Sequence, residues 1–573
     1  MFERETGRLR EVRVYTRPTS DNRSTITFRN FVIEMPFSLR DKIAIGQLLG
    51  VKSVSGLYLV MEIVDYIPMH YSMIGVDNSL PVELRQEIMK RVSESWDSPI
   101  PRNVWLEIYA SPAGYLIDEK LSVIKRGYSP PLIGSEVRIF TKESYDSFVS
   151  SSKGVKIGNL LTTGSELRID LDRLIKYHTG IFAFTGTGKS NLIATLIRKV
   201  IESSDYKIVI FDLSMEYAIL LLDVLSNYPS KIVTTERLPP EASNSSKRLV
   251  RSHVIPEELE DITEKIENKF RILYTKEKIK HIYIKPEGIG YLTYGELIRL
   301  VNEQLEDKYT AIAQKPLFKL MLSKLDRYMR DRNLSKEDLI DSELRSLLDE
   351  VEEIAQESKL RENSSLFTFI SGIRGYINIE HEEDNKVYDV ESLVLDILDG
   401  KEKLFVIESP NSSDIRTIAS QVINSIIDKR RRSYTTKPPI AFVIDEAQEF
   451  IPYDTRSKDN TYQSSEAIEK LLRQGRKYRL HGLISTQRLA YLNTNVIQQL
   501  HSYFISIMPR PYDRQLVAET FAISDMLLDM TLDLDVGQWL LVSFKAALPH
   551  DVPVFFNAEN NIDIVKQRLL NDN

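Results

Sequence analysis

The sequence predicts an α/β fold: a core with a parallel sheet, preceded by a β-rich domain and interrupted by a helical insertion. Five short apolar runs lie between residues 180 and 486, and continuous apolar runs are typical of strands buried on both faces by helices. Before residue 155, segments instead alternate apolar and polar side chains, with no helical pattern between them. A charged stretch of helical periodicity (240–395) interrupts the apolar runs. A chain of 573 residues is too long for one core, so we expect several domains.

Residues 1–155 are predicted to form a β-rich barrel. Their strand-like segments are rich in β-branched and aromatic residues, and glycine and proline separate them, most sharply at Pro130-Pro131. The segments are 11–16, 24–29, 57–66, 104–110 and 136–141. Several short strands without helices between them favour a small barrel or sandwich.

The α/β core is predicted over residues 156–239 and 396–549. Its apolar runs are 180–184, 207–211, 403–407, 440–444 and 482–486. A helical insertion is expected over 240–395, where Thr293 and Glu296 form a plausible capping box. Residues 550–573 are predicted to add one short strand and a terminal helix.

Composition limits the possible functions. The net charge is -7, whereas a protein that coats nucleic acid over its whole surface would be basic, so any nucleic-acid contacts must be locally concentrated, for example in a pore. The absence of cysteine excludes disulfides, thiolate metal sites and a cysteine nucleophile. No apolar signal core begins the chain, and no run approaches the length of a membrane span, so we expect a soluble, cytoplasmic protein without membrane contact.

The stretch GIFAFTGTGKSN (180–191) predicts a phosphate-binding loop. A strand enters a turn of small residues and an amphipathic helix follows, which is the context that such a loop requires. Backbone N–H groups and the helix N-terminus would cradle phosphates, Lys189 would reach the β- and γ-phosphates of ATP, and Ser190 would hold Mg²⁺. The predicted cofactor-binding residues are Thr185, Gly186, Thr187, Gly188, Lys189, Ser190 and Asn191. Ala183 replaces the first glycine of the usual pattern, a position where a small residue at the strand exit should still fit.

Two acids end the apolar run of FVIDEAQEF (442–450). Asp445 is predicted to hold the metal shell, and Glu446 to orient or deprotonate the attacking water. Taken alone, two adjacent acids at a strand end are more simply interpreted as solvent-exposed residues. Their occurrence together with a phosphate loop favours the catalytic interpretation. Asp212 and Glu216 follow another strand of the same sheet and are further candidates, with an ordinary loop acid as the alternative.

The segment 464–488 carries arginines and a glutamine. Arg473, Arg476 and nearby cations cluster at a helix end, where cations are favourable in any protein. The sharper interpretation is an arginine finger for the nucleotide site of a neighbouring subunit. Gln487 follows the next strand, where a polar side chain could sense the γ-phosphate.

Together, GTGKSN, IFDLSMEY, VIDEAQEF and RQGRKYRLHGLISTQR resemble the HerA family of the FtsK–HerA superfamily. The resemblance covers 155–215 and 400–555, and more loosely the β-rich start. It implies a RecA-like P-loop ATPase that forms a hexameric ring, translocates on double-stranded DNA, and works with a NurA-like nuclease in DNA end processing or with an antiviral defence effector.

By position, the resemblance also implies residue roles. Lys189 and Ser190 become Walker A residues, Asp445 the Walker B acid, and Glu446 the catalytic base. Asp212 matches an additional acid of the family, Gln487 a sensor, and Arg476 a finger acting in trans, with Arg473 as the alternate. Besides Ala183, this chain departs from the family at Arg479 and at Tyr177, where some members have an arginine for which Lys176 could substitute.

Three interpretations stay open at this level. The first is the DNA-translocating ATPase; the second is a nucleotide-switched ring that positions a nuclease or defence effector without translocation. The third is a protein-transport or conjugation ATPase, disfavoured because those usually operate at membranes. The basic run 429–432 is either a DNA contact or, with greater prior weight, a solvated helix end.

Overall fold

The computed structural model describes residues 1–571 except 19–24, 78, 97–102, 285–291, 307–313, 333, 337, 339, 342, 359–363, 378–387, 455–460, 522 and 545. The chain divides into two compact units. One comprises Met1–His281 with Glu391–Asn573, and the other comprises Ile282–Val390.

The first unit begins with an antiparallel barrel. Its strands are β1 (Phe2–Pro18), β2 (Thr25–Pro36), β3 (Leu48–Lys52), β4 (Tyr58–His70), β5 (Val104–Ile117), β6 (Ile124–Arg126) and β7 (Glu136–Phe140). The sheet order is β2-β1-β7-β3-β4-β5-β6, and a further β2–β5 pairing closes it. The expectation of strands without helices between them is wrong at one place, because α1 (Val82–Trp96) lies between β4 and β5; α2 (Lys142–Val149) follows β7. The barrel interior is apolar, as alternation along β2 places Phe31, Ile33 and Met35 in one cluster.

A sheet of twelve strands forms the core. Its strands are β8 (Val155–Leu160), β9 (Glu166–Ile169), β10 (Thr179–Phe182), β11 (Lys207–Asp212), β12 (Ser230–Thr234), β13 (Ile279–His281), β14 (Leu404–Glu408), β15 (Ile440–Ile444), β16 (Leu480–Thr486), β17 (Ser502–Ile505), β18 (Gln538–Ser543) and β19 (Val554–Ala558). The order is β13-β12-β14-β11-β15-β16-β10-β17-β18-β19-β8-β9. Strands from β13 to β17 in this order are parallel, and the remainder pair antiparallel.

Helices cover this sheet before the insertion. They are α3 (Leu171–Lys176), α4 (Lys189–Ser203), α5 (Tyr217–Leu220), α6 (Leu222–Asn227), α7 (Ala242–Ser252) and α8 (Thr263–Thr275). Helix α4 is anchored by Arg198, a fully buried guanidinium that donates to Asp223 Oδ1 at 2.9 Å and to Asn561 Oδ1 at 2.9 Å. Burying a charged guanidinium is costly unless it is paired and hydrogen-bonded. These contacts therefore fix the position of α4, the helix that follows the phosphate loop.

The second unit is helical. It contains α9 (Tyr294–Glu306), α10 (Lys315–Arg332), α11 (Leu344–Glu357) and α12 (Ser365–Ile377), which share their own apolar cluster. The predicted capping box is present: Glu296 N donates to Thr293 Oγ1 and Thr293 N to Glu296 Oε2, each at 3.2 Å. The unit is shorter than the predicted insertion of 240–395, because α7 and α8 bury Leu249 and Phe270 in the core cluster.

After the insertion, helices return to the first unit. They are α13 (Val390–Asp399), α14 (Ser412–Ser433), α15 (Thr461–Gln474), α16 (Thr494–Ile497), α17 (Pro511–Phe521), α18 (Asp525–Asp529) and α19 (Asn561–Asn571). In the terminal segment 550–573, β19 lies within the large sheet, and α19 buries Val565 and Leu569 in the core cluster. The predicted fold class is confirmed: an α/β core with a parallel sheet, an N-terminal barrel and a helical insertion.

Candidate nucleotide-hydrolysis site

The phosphate-loop sequence joins β10 to α4 at the carboxyl edge of the parallel strands. Gly186 and Gly188 have φ angles of 80° and 95°, a region that other residues adopt only with strain. A Cβ on Gly186 would meet nothing within 4 Å, so the backbone angle, rather than crowding, requires glycine there. Helix α4 begins at Lys189, directly after Gly188, so its N-terminal N–H groups face the loop.

Ala183 stands where the usual pattern begins with glycine. It is buried in the core cluster, and its N–H donates to the Thr486 carbonyl at 3.4 Å. The residue therefore belongs to the strand exit, and a methyl group is accommodated in the core there.

The acid pair lies beside the loop lysine. The Lys189 ammonium donates to Asp445 Oδ1 at 2.6 Å and to Glu446 Oε1 at 2.5 Å. Burial by itself lowers the pKa of Lys189, but the two carboxylates outweigh that effect and raise it. Burial raises the pKa of Asp445, yet Lys189 and the Ser485 hydroxyl lower it overall, so Asp445 is held ionised. Residues 256 positions apart in sequence thus form one charged centre.

Two further side chains hold Asp445. The Tyr217 hydroxyl donates to Oδ2 at 2.9 Å, and the Ser485 hydroxyl donates to Oδ1. Both residues are buried. Sequence reasoning did not identify either; the available signal was that each lies near the carboxyl end of a buried strand, Ser485 within β16 and Tyr217 shortly after β11.

Glu446 is held in a strained backbone conformation within a network of amides. Its φ is 48° and its ψ is 48°, in the left-handed region that non-glycine residues rarely adopt. Gln448 Nε2 donates to Oε2 at 2.6 Å, and Gln487 Nε2 donates to Oε1 at 2.5 Å. The strained residue thereby turns its carboxylate toward the phosphate loop.

Gln487 connects the loop to the acid. Its Oε1 accepts from the Thr185 hydroxyl at 2.5 Å while its amide nitrogen donates to Glu446. This follows from the sheet order, because β16 lies between β10 and β15. The side chain is positioned to respond to any group that displaces Thr185 or Glu446.

Asp212 does not line the cleft beside the loop. It is fully buried, and its Oδ2 accepts from the backbone N–H groups of Glu216 and Tyr217 at 3.0 and 2.8 Å. Burial, with the neighbouring Glu408 carboxylate, raises the pKa of Asp212 to about 7. Asp212 thus holds the turn that presents Tyr217 to Asp445, and its predicted catalytic role stays a prediction.

A buried ion pair lies behind this turn. His253 Nε2 and Glu408 Oε2 are 2.9 Å apart, and neither side chain is exposed. Although burial lowers the pKa of His253, the Glu408 carboxylate raises it to about 9. The pair ties the end of α7 to the end of β14, which stabilises the wall of the cleft that continues at Pro256.

The remaining predicted loop residues differ in use. Ser190 lines the cleft and its hydroxyl is hydrogen-bonded to Glu216. Burial raises the pKa of Glu216, and this hydrogen bond partly offsets that rise. Thr187 donates its hydroxyl to the Phe184 carbonyl at 2.9 Å, which stabilises the turn. Asn191 also lines the cleft, but its amide binds the Glu559 carbonyl at 3.2 Å and the Asn561 N–H at 2.9 Å. The Asn191 side chain therefore joins α4 to the C-terminal segment.

The predicted finger arginines lie at the other edge of the sheet. Arg476 precedes β16 and therefore sits at the amino edge of the parallel strands, with its guanidinium carbon 5.6 Å from the ring centre of Tyr177. Arg473 is exposed and pairs with Glu469 at 3.2 Å. Neither can reach the phosphate loop of its own chain, and the same holds for Lys176, which precedes β10.

The basic run 429–432 is mostly structural. Arg430 is buried and donates to the Tyr478 carbonyl at 2.5 Å and to the Pro438 carbonyl. Lys429 lies 3.7 Å from Glu391. Of this run, Arg431 and Arg432 are exposed at the end of α14, which favours the solvated helix end over a cluster of DNA contacts.

A cleft of about 590 Å³ opens over the loop, a size typical of small-molecule sites. Its walls include Lys189, Ser190, Glu216, Glu446 and Gln487. Glycine turns, a helix N-terminus, a lysine and the Glu446 carboxylate therefore converge on one cleft, as a nucleoside triphosphatase requires. Within the described ranges, no helix is both long and apolar enough to cross a membrane.

Comparison with known proteins finds a matching family model, sequence relatives and related solved structures. The family described as "Helicase HerA, central domain" matches residues 155–408. The chain is 25% identical over 442 residues to the DNA double-strand break repair helicase HerA of Sulfurisphaera tokodaii, covering 74% of each chain. The HerA helicase of Saccharolobus solfataricus is 23% identical, covering 74% of this chain and 73% of its own length. Among solved structures, VirB4 of Thermoanaerobacter pseudethanolicus is 12% identical with a TM-score of 0.33, covering 72% of this chain and 98% of that one. In its sequence motifs and over about three quarters of its length the chain is similar to HerA helicases, and these relatives confirm the predicted resemblance and a P-loop ATPase of the helicase type.

Proposed function

We propose that this protein is an ATP-driven motor that translocates on double-stranded DNA as a hexameric ring. The observation that carries the proposal is the linked site, in which Gln487 joins the phosphate-loop residue Thr185 to Glu446. Such a link couples nucleotide occupancy to the hydrolytic acid. The DNA part rests on relatives named as DNA double-strand break repair helicases.

Hydrolysis is assigned to this chain's own groups as follows. The loop N–H groups and the N-terminus of α4 bind the phosphates, and Lys189 exchanges its ion pairs with Asp445 and Glu446 for phosphate oxygens. Glu446, released from the lysine, polarises the attacking water and accepts its proton. Gln448 Nε2, at 2.6 Å from Glu446 Oε2, keeps the carboxylate oriented during that exchange.

The residues beside the loop fit a magnesium ion. Ser190 and Asp445 supply a hydroxyl and a carboxylate, the hard oxygen ligands that Mg²⁺ prefers, and Glu216 lies next to Ser190. Among the described residues no cluster of three or more acidic or imidazole ligands occurs. Bound there, Mg²⁺ would neutralise charge on the phosphates.

The position of Arg476 supports the proposed ring. Arg476 is exposed at the amino edge of the sheet, away from the phosphate loop of its own chain, where it could complete the site of a neighbouring chain as an arginine finger does. We expect Arg476→Ala to reduce ATP turnover by about 1000-fold. Mixed with Lys189→Ala chains, it should regain part of the activity, because some interfaces then combine an intact loop with an intact finger.

The matched control for the finger is Lys477→Ala, which removes the adjacent exposed cation and should leave turnover within about twofold. Arg473→Ala tests the alternate finger. Rings that contain both variants, verified by co-purification through two affinity tags, should show the regained turnover. If such rings stay inactive, Arg476 does not act in trans.

DNA dependence tests the function itself. ATP turnover is measured with and without linear double-stranded DNA, at two salt concentrations because phosphate contacts weaken with salt. Strong stimulation supports the motor and a role in DNA end processing beside a nuclease. Turnover that is indifferent to DNA, from protein that also fails to bind it, would overturn the proposal in favour of a nucleotide-switched ring that positions a nuclease or defence effector.

A further inference from the structure

The cleft extends past the phosphate loop to a wall formed by the C-terminal segment. Val536, Gly537, Asn557 and Ile562 line it together with the loop. The Gly537 N–H donates to the Thr187 carbonyl at 3.1 Å, so the turn before β18 docks directly on the phosphate loop. No catalytic group described above belongs to this wall.

The sheet order determines which part of a nucleotide reaches this wall. Lys189, Glu446 and Gln487 mark the γ-phosphate end, on the β15–β16 side of β10. Val536 and Gly537 precede β18 and Asn557 lies in β19, so the C-terminal wall is on the opposite side of β10. A triphosphate that spans the N-terminus of α4 from the acid pair must therefore direct its nucleoside toward the C-terminal wall.

The wall has the surface that a nucleobase requires. Val536 is 64% exposed and Ile562 is half-buried, so both offer apolar atoms to the cleft for a planar ring to cover. The Asn191 amide fixes the distance of this wall from α4 through its bonds to Glu559 and Asn561. The platform is thus rigidly attached to the helix that binds the phosphates.

One polar side chain in the wall is available for the base. Asn557 is exposed to the cleft, and across the described part of the chain its carboxamide makes no hydrogen bond. Asn560 is not equivalent, because it donates to Asp563 at 2.8 Å and accepts from the Ile562 N–H at 3.1 Å as the cap of α19.

We propose that the C-terminal wall is the nucleobase subsite of this ATPase, and that Asn557 selects adenine. Adenine carries a donor at N6 beside an acceptor at N7, which one carboxamide satisfies with two hydrogen bonds. Guanine carries two acceptors on that edge and leaves the amide oxygen unpaired. The inference rests on the proposed nucleotide chemistry of the same cleft, and it is independent of DNA.

The test is the dissociation constant of fluorescent ATP and GTP analogues, with inorganic tripolyphosphate as a competitor. Asn557→Ala should weaken binding of the ATP analogue by about 3- to 10-fold and binding of the GTP analogue by less than about 2-fold. Val536→Ser should weaken binding of both analogues equally, since an apolar contact does not distinguish the two bases. Tripolyphosphate, which has no base, should bind both variants as it binds the unaltered protein.

The matched control is Asn159→Ala. Asn159 is an exposed asparagine that pairs with Asn557 across β8 and β19 but does not line the cleft, and its replacement should change neither constant. Unchanged tripolyphosphate affinity also shows that each variant is folded. An ATP-to-GTP affinity ratio unaffected by Asn557→Ala would overturn the assignment. If DNA failed to stimulate ATP turnover, the proposed DNA motor would be overturned, but this binding result would stand. The two proposals can therefore be contradicted independently.

Discussion

Replacing Lys189 with alanine is expected to reduce ATP hydrolysis by about 1000-fold and to abolish tight nucleotide binding. Lys189 is the only cation that the structure places within hydrogen-bond distance of both Asp445 and Glu446 among the described residues. Without it, no ammonium balances the phosphate charge, and two carboxylates face the same cleft. Repulsion between those acids and the triphosphate then opposes binding directly.

The measurement combines turnover with thermal unfolding. ATP should raise the Tm of the unaltered protein, because a ligand that binds only the folded state stabilises it, and should leave the Tm of Lys189→Ala unchanged. The variant should itself unfold at a lower temperature, since it leaves Asp445 buried without its principal counter-charge. Lys199→Ala is the control, because it removes a lysine of the same helix whose partner is Glu559. An ATP-dependent rise in Tm for the Lys189 variant would contradict the assignment.

Replacing Glu446 with glutamine is expected to lower kcat by about 1000-fold while ATP binding changes by less than about threefold. Glutamine has the same shape and can still accept from Lys189 and Gln487 through one oxygen. It cannot take a proton from water. The loss therefore falls on the chemical step, which is the pattern that a general base predicts.

Single-turnover kinetics with a separate binding titration distinguish the two effects. Glu449→Gln is the matched control: the same change three positions away, at a carboxylate that makes no contact with Lys189 among the described ion pairs. It should retain turnover within about twofold. Unchanged turnover in Glu446→Gln would remove Glu446 from the role of base and leave Asp445 and Glu216 as the candidate acids beside the loop.

The sequence already contained the parts of the site that depend on local chain geometry. Gly186 and Gly188 need positive φ angles, so a glycine-rich turn between a strand and a helix is recognisable without any partner. The apolar runs of the parallel strands are equally local, because burial on both faces favours continuous apolar residues. Lys189, Ser190, Asp445 and Glu446 were therefore identified from the motifs around them.

The tertiary structure decided which residues meet. Because β16 lies between β10 and β15, Gln487 reaches both Thr185 and Glu446, and Ser485 reaches Asp445, contacts that depend on strand order and cannot be read from spacing. Burial likewise turned Arg430 from a candidate DNA contact into a structural donor. Local sequence specifies turns, strands and reactive groups, whereas contacts between distant residues follow from the order in which the strands assemble.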